Sequence, residues 1–178
     1  MTNKISKFPV NASGVAGART SMASVGNTPF GFSFARNHYM VVSNAEMGAP
    51  HASSATSYSG INSGNLNDVN GDVGNNQTAA CWVATTQHGR YAFTTNTGSD
   101  NISSYYVSPI GALYLINSNI PSGDAPIDMT IASNNYFVYA LCAMDHTIQE
   151  YTRTWFGGLT HNGQVTGVAP HAAGLASY

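Results

Sequence analysis

The sequence predicts an all-β protein made of several copies of one four-strand unit, and three observations support this prediction. The first is the composition: of 178 residues, 43% are hydrophobic and 11% aromatic, but only 8% are charged. Together with 18 Gly and 10 Tyr residues, this bias favours short strands joined by many turns. The second is that no segment carries a sustained helical period of apolar residues. The third is an internal repeat.

The repeat is clearest in the second half of each copy. Three residue types recur at offsets of 47 and 46 residues: Tyr58, Tyr105 and Tyr151; Gly64, Gly111 and Gly157; and Leu66, Leu113 and Leu159. A fixed period of about 40 to 50 residues is typical of propeller blades or solenoid units.

Each copy contains four short segments. The first reads TPFGFSF (28–34), AACWVAT (79–85) and APIDMTI (125–131), and the second reads HYMVVSN (38–44), RYAFTTN (90–96) and YFVYALC (136–142). Their continuous apolar character predicts inner strands buried on both faces, whereas the third and fourth segments alternate like half-exposed outer strands. Four antiparallel strands in each unit are typical of a β-propeller blade.

The two ends of the chain match only parts of a blade. NKISKFPVNASGVAG (3–17) aligns with DNISSYYVSPIGALY (100–114), and PHAAGLASY (170–178) aligns with a first strand, with Leu175 on Met129. The sequence therefore predicts a single propeller fragment, 1–178, with three complete blades and two partial ones. Its parts are an outer half-blade at 1–27, blades at 28–74, 75–121 and 122–168, and the first strand of a further blade at 169–178.

These phrases resemble the lactonase-type seven-bladed β-propellers, which include 6-phosphogluconolactonase-like and carboxymuconate-cyclase-like proteins. The positions that carry the resemblance are Phe32, Asn96, Ile102, Tyr105 and Gly111. The PDGRY hairpin typical of that family becomes ARNHY, QHGRY and SNNYF here, so its Gly-Arg-Tyr part is intact in one copy only. Members of the family are roughly twice as long, so the chain corresponds to about half a propeller.

Half a ring exposes two apolar blade faces and unpaired strand edges. Three arrangements are open. The C-terminal strand completes the N-terminal half-blade in a four-bladed ring, two chains exchange these pieces in a closed homodimer, or the arc stays open. We expect the homodimer, because a four-bladed ring needs stronger inward curvature than this repeat provides.

The resemblance implies a lactone hydrolase or cycloisomerase acting at one mouth of the central channel. The loops between second and third strands lie at that mouth: 44–55, 96–100 and 142–146. Acid–base chemistry on a lactone needs a positioned base and a polarised carbonyl. The candidate catalytic residues in these loops are Glu46, His51, Asp145 and His146, and the candidate ligand-binding residues are Asn44, Gln77, Trp82, Asn96 and Asp128.

Each candidate also has a structural interpretation. Glu46 and Asp145 are typical of solvated or turn-forming loop carboxylates, and Asn96 of a turn cap. A non-catalytic structural or binding protein, built from half a propeller and closed by dimerisation, therefore remains the alternative function. Arg36 and Arg90 fall at the first hairpin turns, on the opposite rim, which argues against a phosphorylated lactone as the substrate.

The remaining features limit partners and cofactors. A net charge of −2 predicts no attraction to nucleic acid or to an anionic membrane. There is no compact metal motif, so we expect no metal and no cofactor, and a small molecule is the expected ligand. No signal peptide is evident, so the default expectation is a cytoplasmic protein. Cys81 and Cys142 lack metal-type spacing and are expected to be buried or half-buried thiols.

Overall fold

The computed structural model describes residues 2–36 and 38–178, and in this part all regular structure except two short 3₁₀ turns, Glu46–Gly48 and Ile61–Ser63, is β-strand. The fourteen strands are β1 Lys4–Lys7, β2 Thr20–Ala23, β3 Pro29–Ala35, β4 Tyr39–Asn44, β5 Ser54–Ser59, β6 Asn67–Gly74, β7 Ala80–Thr85, β8 Tyr91–Asn96, β9 Asn101–Val107, β10 Leu113–Pro121, β11 Pro126–Ile131, β12 Phe137–Cys142, β13 Thr147–Arg153 and β14 Leu159–Thr166. Within the described residues, no helix has the length and apolar character needed to cross a bilayer.

The strands form three four-stranded sheets and one two-stranded sheet. The sheets follow chain order, β3-β4-β5-β6, β7-β8-β9-β10 and β11-β12-β13-β14, and β1 pairs with β2. All of these pairings are antiparallel. We call the four-stranded sheets the first, second and third blade, and β1–β2 the half-blade. The predicted all-β architecture of propeller blades is confirmed.

Apolar side chains from facing strands fill the spaces between neighbouring blades. Val41, Val83 and Tyr105 belong to the cluster between the first and second blades. Phe93 and Met129 belong to the equivalent cluster between the second and third blades. Burial of these side chains holds the blades face to face, because removing each from water contributes roughly 1.5–3 kcal/mol.

One face of β3 differs from the prediction that the inner strands are buried on both sides. Side chains alternate along a strand, and Gly31, Ser33 and Ala35 face the second blade, where the Ser33 and Thr85 hydroxyls lie 2.8 Å apart. The other face carries Phe30, Phe32 and Phe34, which are 60%, 56% and 54% exposed. The reason is that the half-blade consists of outer strands only and provides no inner strand to cover them.

The C-terminal segment 169–178, predicted as a first strand, contains no strand. It lies along the third blade, where the Leu175 N–H donates to Asp128 Oδ2 at 2.7 Å and the Thr130 and Ser177 hydroxyls are 2.9 Å apart. A strand requires a hydrogen-bonded neighbour, which in a blade is the second strand, and this segment has none beside it. In the described part of the chain β1 pairs with β2 alone, so the segment does not complete the half-blade.

Candidate functional site

The loops that join second and third strands lie at the same rim as the beginnings of the first strands. In all three blades one backbone hydrogen bond ties the loop to the residue before the first strand. The backbone N–H of the loop donates to the carbonyl before the strand at 3.0 Å in each case: Ala45 to Thr28, Thr97 to Ala79 and Ala143 to Ala125. The mouth loops predicted from the sequence and the beginnings of the first strands therefore share one rim, which we call the loop rim.

Two of the candidate catalytic carboxylates hold these loops in place. Glu46 accepts hydrogen bonds from the backbone N–H of Asn27 at 2.7 Å and from its side-chain amide at 2.9 Å. Asp145 accepts from the backbone N–H of Asp124 at 3.1 Å. In the second blade Ser99 accepts from the N–H of Thr78 at 2.8 Å. Because a serine fills the role there, this bond belongs to the architecture of the repeat and needs no carboxylate.

The two candidate histidines occupy different surroundings. His51 donates its backbone N–H to Thr78 Oγ1 at 3.1 Å, and its Nδ1 lies 3.2 Å from the Asn76 carbonyl. A carbonyl oxygen only accepts, so Nδ1 is the donor in this contact. Glu46 and His51 thus hold different segments, one before the first blade and one before the second. His146 is half-buried, and its carbonyl accepts from Val168 N–H at 3.1 Å.

The candidate amides take part in buried networks inside the blades. Asn96 donates to Asn101 Oδ1 at 2.7 Å and to Ser103 Oγ at 2.8 Å, and Asn101 in turn donates to Gln77 Oε1 at 2.7 Å. The equivalent Asn44 donates to Ser54, Thr56 and Asp72 at 2.9–3.1 Å. Asn44 and Asn96 are fully buried, so their amides organise the loop rim rather than face solvent.

Asp128 and Trp82 complete the predicted set. Asp128 is buried, and its two oxygens accept from the N–H groups of Met129 at 2.6 Å and Leu175 at 2.7 Å. Burial raises the pKa of Asp128, and these two N–H donors oppose the rise. Trp82 on β7 is 38% exposed. Among the candidates, His51, Asp145 and Trp82 are exposed, and Glu46, Gln77 and His146 are half-buried.

The described residues contain no group of three or more His, Cys, Asp and Glu side chains close enough to hold a metal ion. Both cysteines are free thiols, Cys81 half-buried and Cys142 buried. Burial raises the pKa of Cys142 to about 11, which keeps this thiol protonated and unreactive at neutral pH.

The structure adds a surface that the site prediction did not include, formed by Phe30, Phe32 and Phe34 on β3. We call it the aromatic face. The repeat provides an internal comparison, because Phe32 corresponds to Val83 and Met129, which are each 2% exposed under the preceding blade. The sequence signal was present: three phenylalanines at alternate positions directly follow a half-blade without inner strands.

No protein-family model matches the sequence, and no curated protein matches it. Solved structures match its fold. A protein from Lactobacillus plantarum has a TM-score of 0.79 at 18% identity, over 96% of this chain and 51% of that one. The periplasmic gluconolactonase PpgL of Pseudomonas aeruginosa has a TM-score of 0.75 at 16% identity, over 94% of this chain and 50% of that one. A putative 6-phosphogluconolactonase from Bacteroides uniformis has a TM-score of 0.78 at 16% identity, over 96% of this chain and 54% of that one.

These matches define the class of protein by its fold. The chain spans about half the length of each of these three solved structures, and it does so with nearly all of its own residues. Its fold is therefore that of about half a β-propeller and is similar to these solved structures, as the sequence resemblance implied.

Proposed function

We propose that this protein is a half-propeller module that pairs with a second copy of itself through the aromatic face. The observation that carries this proposal is the exposure of Phe30, Phe32 and Phe34. The equivalents of Phe32 in the other two blades, Val83 and Met129, are buried against the preceding blade. A contiguous apolar surface of this kind marks an interaction site.

A second copy fits this surface for two reasons. Two half-length chains supply about as many blades as one of the solved propellers, so two arcs are enough for a ring. The far side of the arc also has a partly open apolar surface, with Tyr139, Ile148 and Val165 around a cavity of about 440 Å³ beside the C-terminal segment. Head-to-tail contact of two arcs brings the aromatic face of each onto the far side of the other, and a two-fold axis closes the ring.

The expected affinity is moderate. Burying the exposed parts of three phenylalanines at each of two contacts contributes on the order of 5–10 kcal/mol. Association opposes this with an estimated 4–15 kcal/mol of lost translational and rotational freedom, so neighbouring contacts decide the net value. The equilibrium should therefore be followed across a range of concentrations.

Sedimentation velocity on matched variants tests this proposal. Phe32→Ser removes the centre of the aromatic face and should shift the equilibrium towards the monomer by at least ten-fold in Kd. Phe156→Ser changes the same residue type in a turn between β13 and β14, where it is 78% exposed, and should leave the equilibrium unchanged. Equal behaviour of wild type and Phe32→Ser would contradict the proposal.

A second candidate function is lactone hydrolysis at the loop rim. Its support is the fold likeness to a structure named as a gluconolactonase and to one named as a putative 6-phosphogluconolactonase. In this proposal His146 provides acid–base chemistry, and Trp82 packs against the ligand. Glu46, His51 and Asp145 position the loops through the bonds described above.

A pH-stat assay with glucono-δ-lactone tests the second candidate. His146→Ala should lower kcat/KM by about 10²-fold or more, the usual contribution of a general acid or base. His38→Ala, on the opposite rim, should leave kcat/KM unchanged. Hydrolysis no faster than in buffer, or equal loss in both variants, would contradict a role for His146.

A further inference from the structure

A second cavity lies on the rim opposite the loop rim, between the second and third blades. Its volume is about 190 Å³, and its lining includes Arg90, Arg153 and His88 but no acidic residue. Two of the six Lys and Arg residues of the chain therefore line one small cavity in a protein whose net charge is negative. Such a concentration of positive charge attracts an anion.

Both arginines are arranged around one aromatic ring. The guanidinium carbons of Arg90 and Arg153 lie 5.6 and 5.5 Å from the centre of the Tyr91 ring. Arg153 is also fixed, because its Nε donates to the Asn135 carbonyl and its Nη1 to the Thr154 carbonyl, both at 2.8 Å. The ring offsets part of the repulsion between the two cations. A bound anion would offset the remaining repulsion between the two guanidinium groups. It would also meet the Arg153 side chain already held in position, which lowers the entropy cost of binding.

The repeat shows that the fold does not need this basic pair. At the junction of the first and second blades, Tyr39 takes the place of Tyr91, and both rings lie against a glycine of the next blade. Both tyrosine hydroxyls donate to a backbone carbonyl in the next blade, at 3.5 Å for Tyr39 and 2.9 Å for Tyr91. Among the lining residues that differ at the second junction are Arg90, Arg153 and Trp155, which replace His38, Val107 and Pro109. The first junction has one arginine, Arg36, at the position of His88. Positions that depart from a repeat are where binding sites are commonly placed.

We propose that this cavity binds a small aromatic carboxylate. The volume equals the space of about six water molecules and is below the ~300 Å³ of sites for larger ligands, so a single ring fits. Guanidinium groups bind carboxylates through paired charge-assisted hydrogen bonds. Trp155 lines the cavity, is 76% exposed and offers an aromatic surface against which a planar ring packs.

Isothermal titration calorimetry with three anions tests the ligand class. Benzoate should bind, cyclohexanecarboxylate should bind at least five-fold more weakly because it lacks a planar ring, and inorganic phosphate should be weaker than benzoate. Equal affinity for the two carboxylates would overturn the aromatic part of the proposal. Preference for phosphate would overturn the carboxylate, and no detectable binding of any of the three would overturn the site.

Variants at the two arginines test the location. Arg90→Gln and Arg153→Gln should each weaken benzoate binding by roughly ten-fold, the usual effect of losing a charge-assisted hydrogen bond. Arg90 is exposed, so its variant keeps the test valid if Arg153→Gln proves unstable. Arg36→Gln is the matched control, because Arg36 lies on the same rim at the first junction, where its Nε donates to the Val107 carbonyl at 3.0 Å. Loss of binding in this control, or none in Arg90→Gln, would overturn the location.

Discussion

At the scale of single residues, the repeat places one tyrosine at the same buried position in each blade but gives each hydroxyl different partners. Tyr58 accepts from the Val25 N–H at 2.9 Å. Tyr151 donates to the Pro121 carbonyl at 2.9 Å. The buried hydroxyl of Tyr105 makes no hydrogen bond of good geometry with the described residues, although the side chains of Thr94, Asn75 and Ser103 lie close to it. An unpaired buried hydroxyl contributes no stability and carries a desolvation cost.

We expect the three Tyr→Phe variants to separate in urea unfolding at one protein concentration. Tyr58→Phe and Tyr151→Phe should each lower the free energy of unfolding by about 1–2 kcal/mol, because a backbone partner is left unpaired. Tyr105→Phe should change it by less than about 0.5 kcal/mol or raise it. An equal loss in all three variants would show that the Tyr105 hydroxyl has a partner.

The same tyrosines predict how stability depends on alkaline pH. Burial raises the pKa of Tyr105 from 10.0 to about 12, and burial also raises the pKa of Tyr151. A raised pKa in the folded state stabilises the fold below the ordinary value, and this stabilisation is lost as the pH rises through the folded value. The free energy of unfolding should therefore fall between about pH 10 and 12. The fall should be shallower in Tyr105→Phe than in the wild type. In Tyr114→Phe, whose ring is exposed, the fall should be the same as in the wild type.

At the scale of elements, the turn between third and fourth strands depends on a glycine for two separable reasons. Gly111 has a φ of +83°, and an added Cβ would lie 2.3 Å from the ring of Tyr39. Its counterpart Gly64 has a similar φ of +70° but open space around it. The turn at Gly64 therefore shows the effect of backbone conformation alone, and the turn at Gly111 adds the close approach of a neighbouring blade.

Alanine variants at these two glycines should differ in stability. Gly64→Ala should lower the free energy of unfolding by roughly 1–2 kcal/mol, the cost of a left-handed conformation in a residue with a Cβ. Gly111→Ala should lower it by a further 1–3 kcal/mol or so, because the Tyr39 ring must move. Chemical denaturation of both variants measures the difference, and equal losses would mean that the ring yields freely.

The elements themselves were predictable from the sequence, because alternation, turn glycines and the repeat all act locally. The hydrogen bonds that fix the loop rim were not. The bond between Glu46 and Asn27 joins residues on different loops, and no pattern distinguishes a carboxylate that binds a neighbouring N–H from one that faces solvent. The candidate site was therefore predicted as a set of loops, and the partners of its side chains appear only in three dimensions.

At the scale of the whole molecule, the half-length arc explains where the prediction of burial was wrong. An inner strand is covered on both faces only when blades flank it on both sides, and β3 has outer strands alone on one side. Local sequence describes Phe30, Phe32 and Phe34 as core residues, and their exposure follows from the number of blades. The aromatic face is thus a core surface for which this chain provides no cover.

The measurement that tests the central claim most directly is the mass of the wild-type protein in solution, by light scattering on a size-exclusion column at several loading concentrations. Pairing through the aromatic face predicts a species at twice the 18.7 kDa mass of the chain, which dissociates on dilution. A species of 18.7 kDa at every concentration would contradict it, and the aromatic face would then be an exposed surface without a partner in this protein alone.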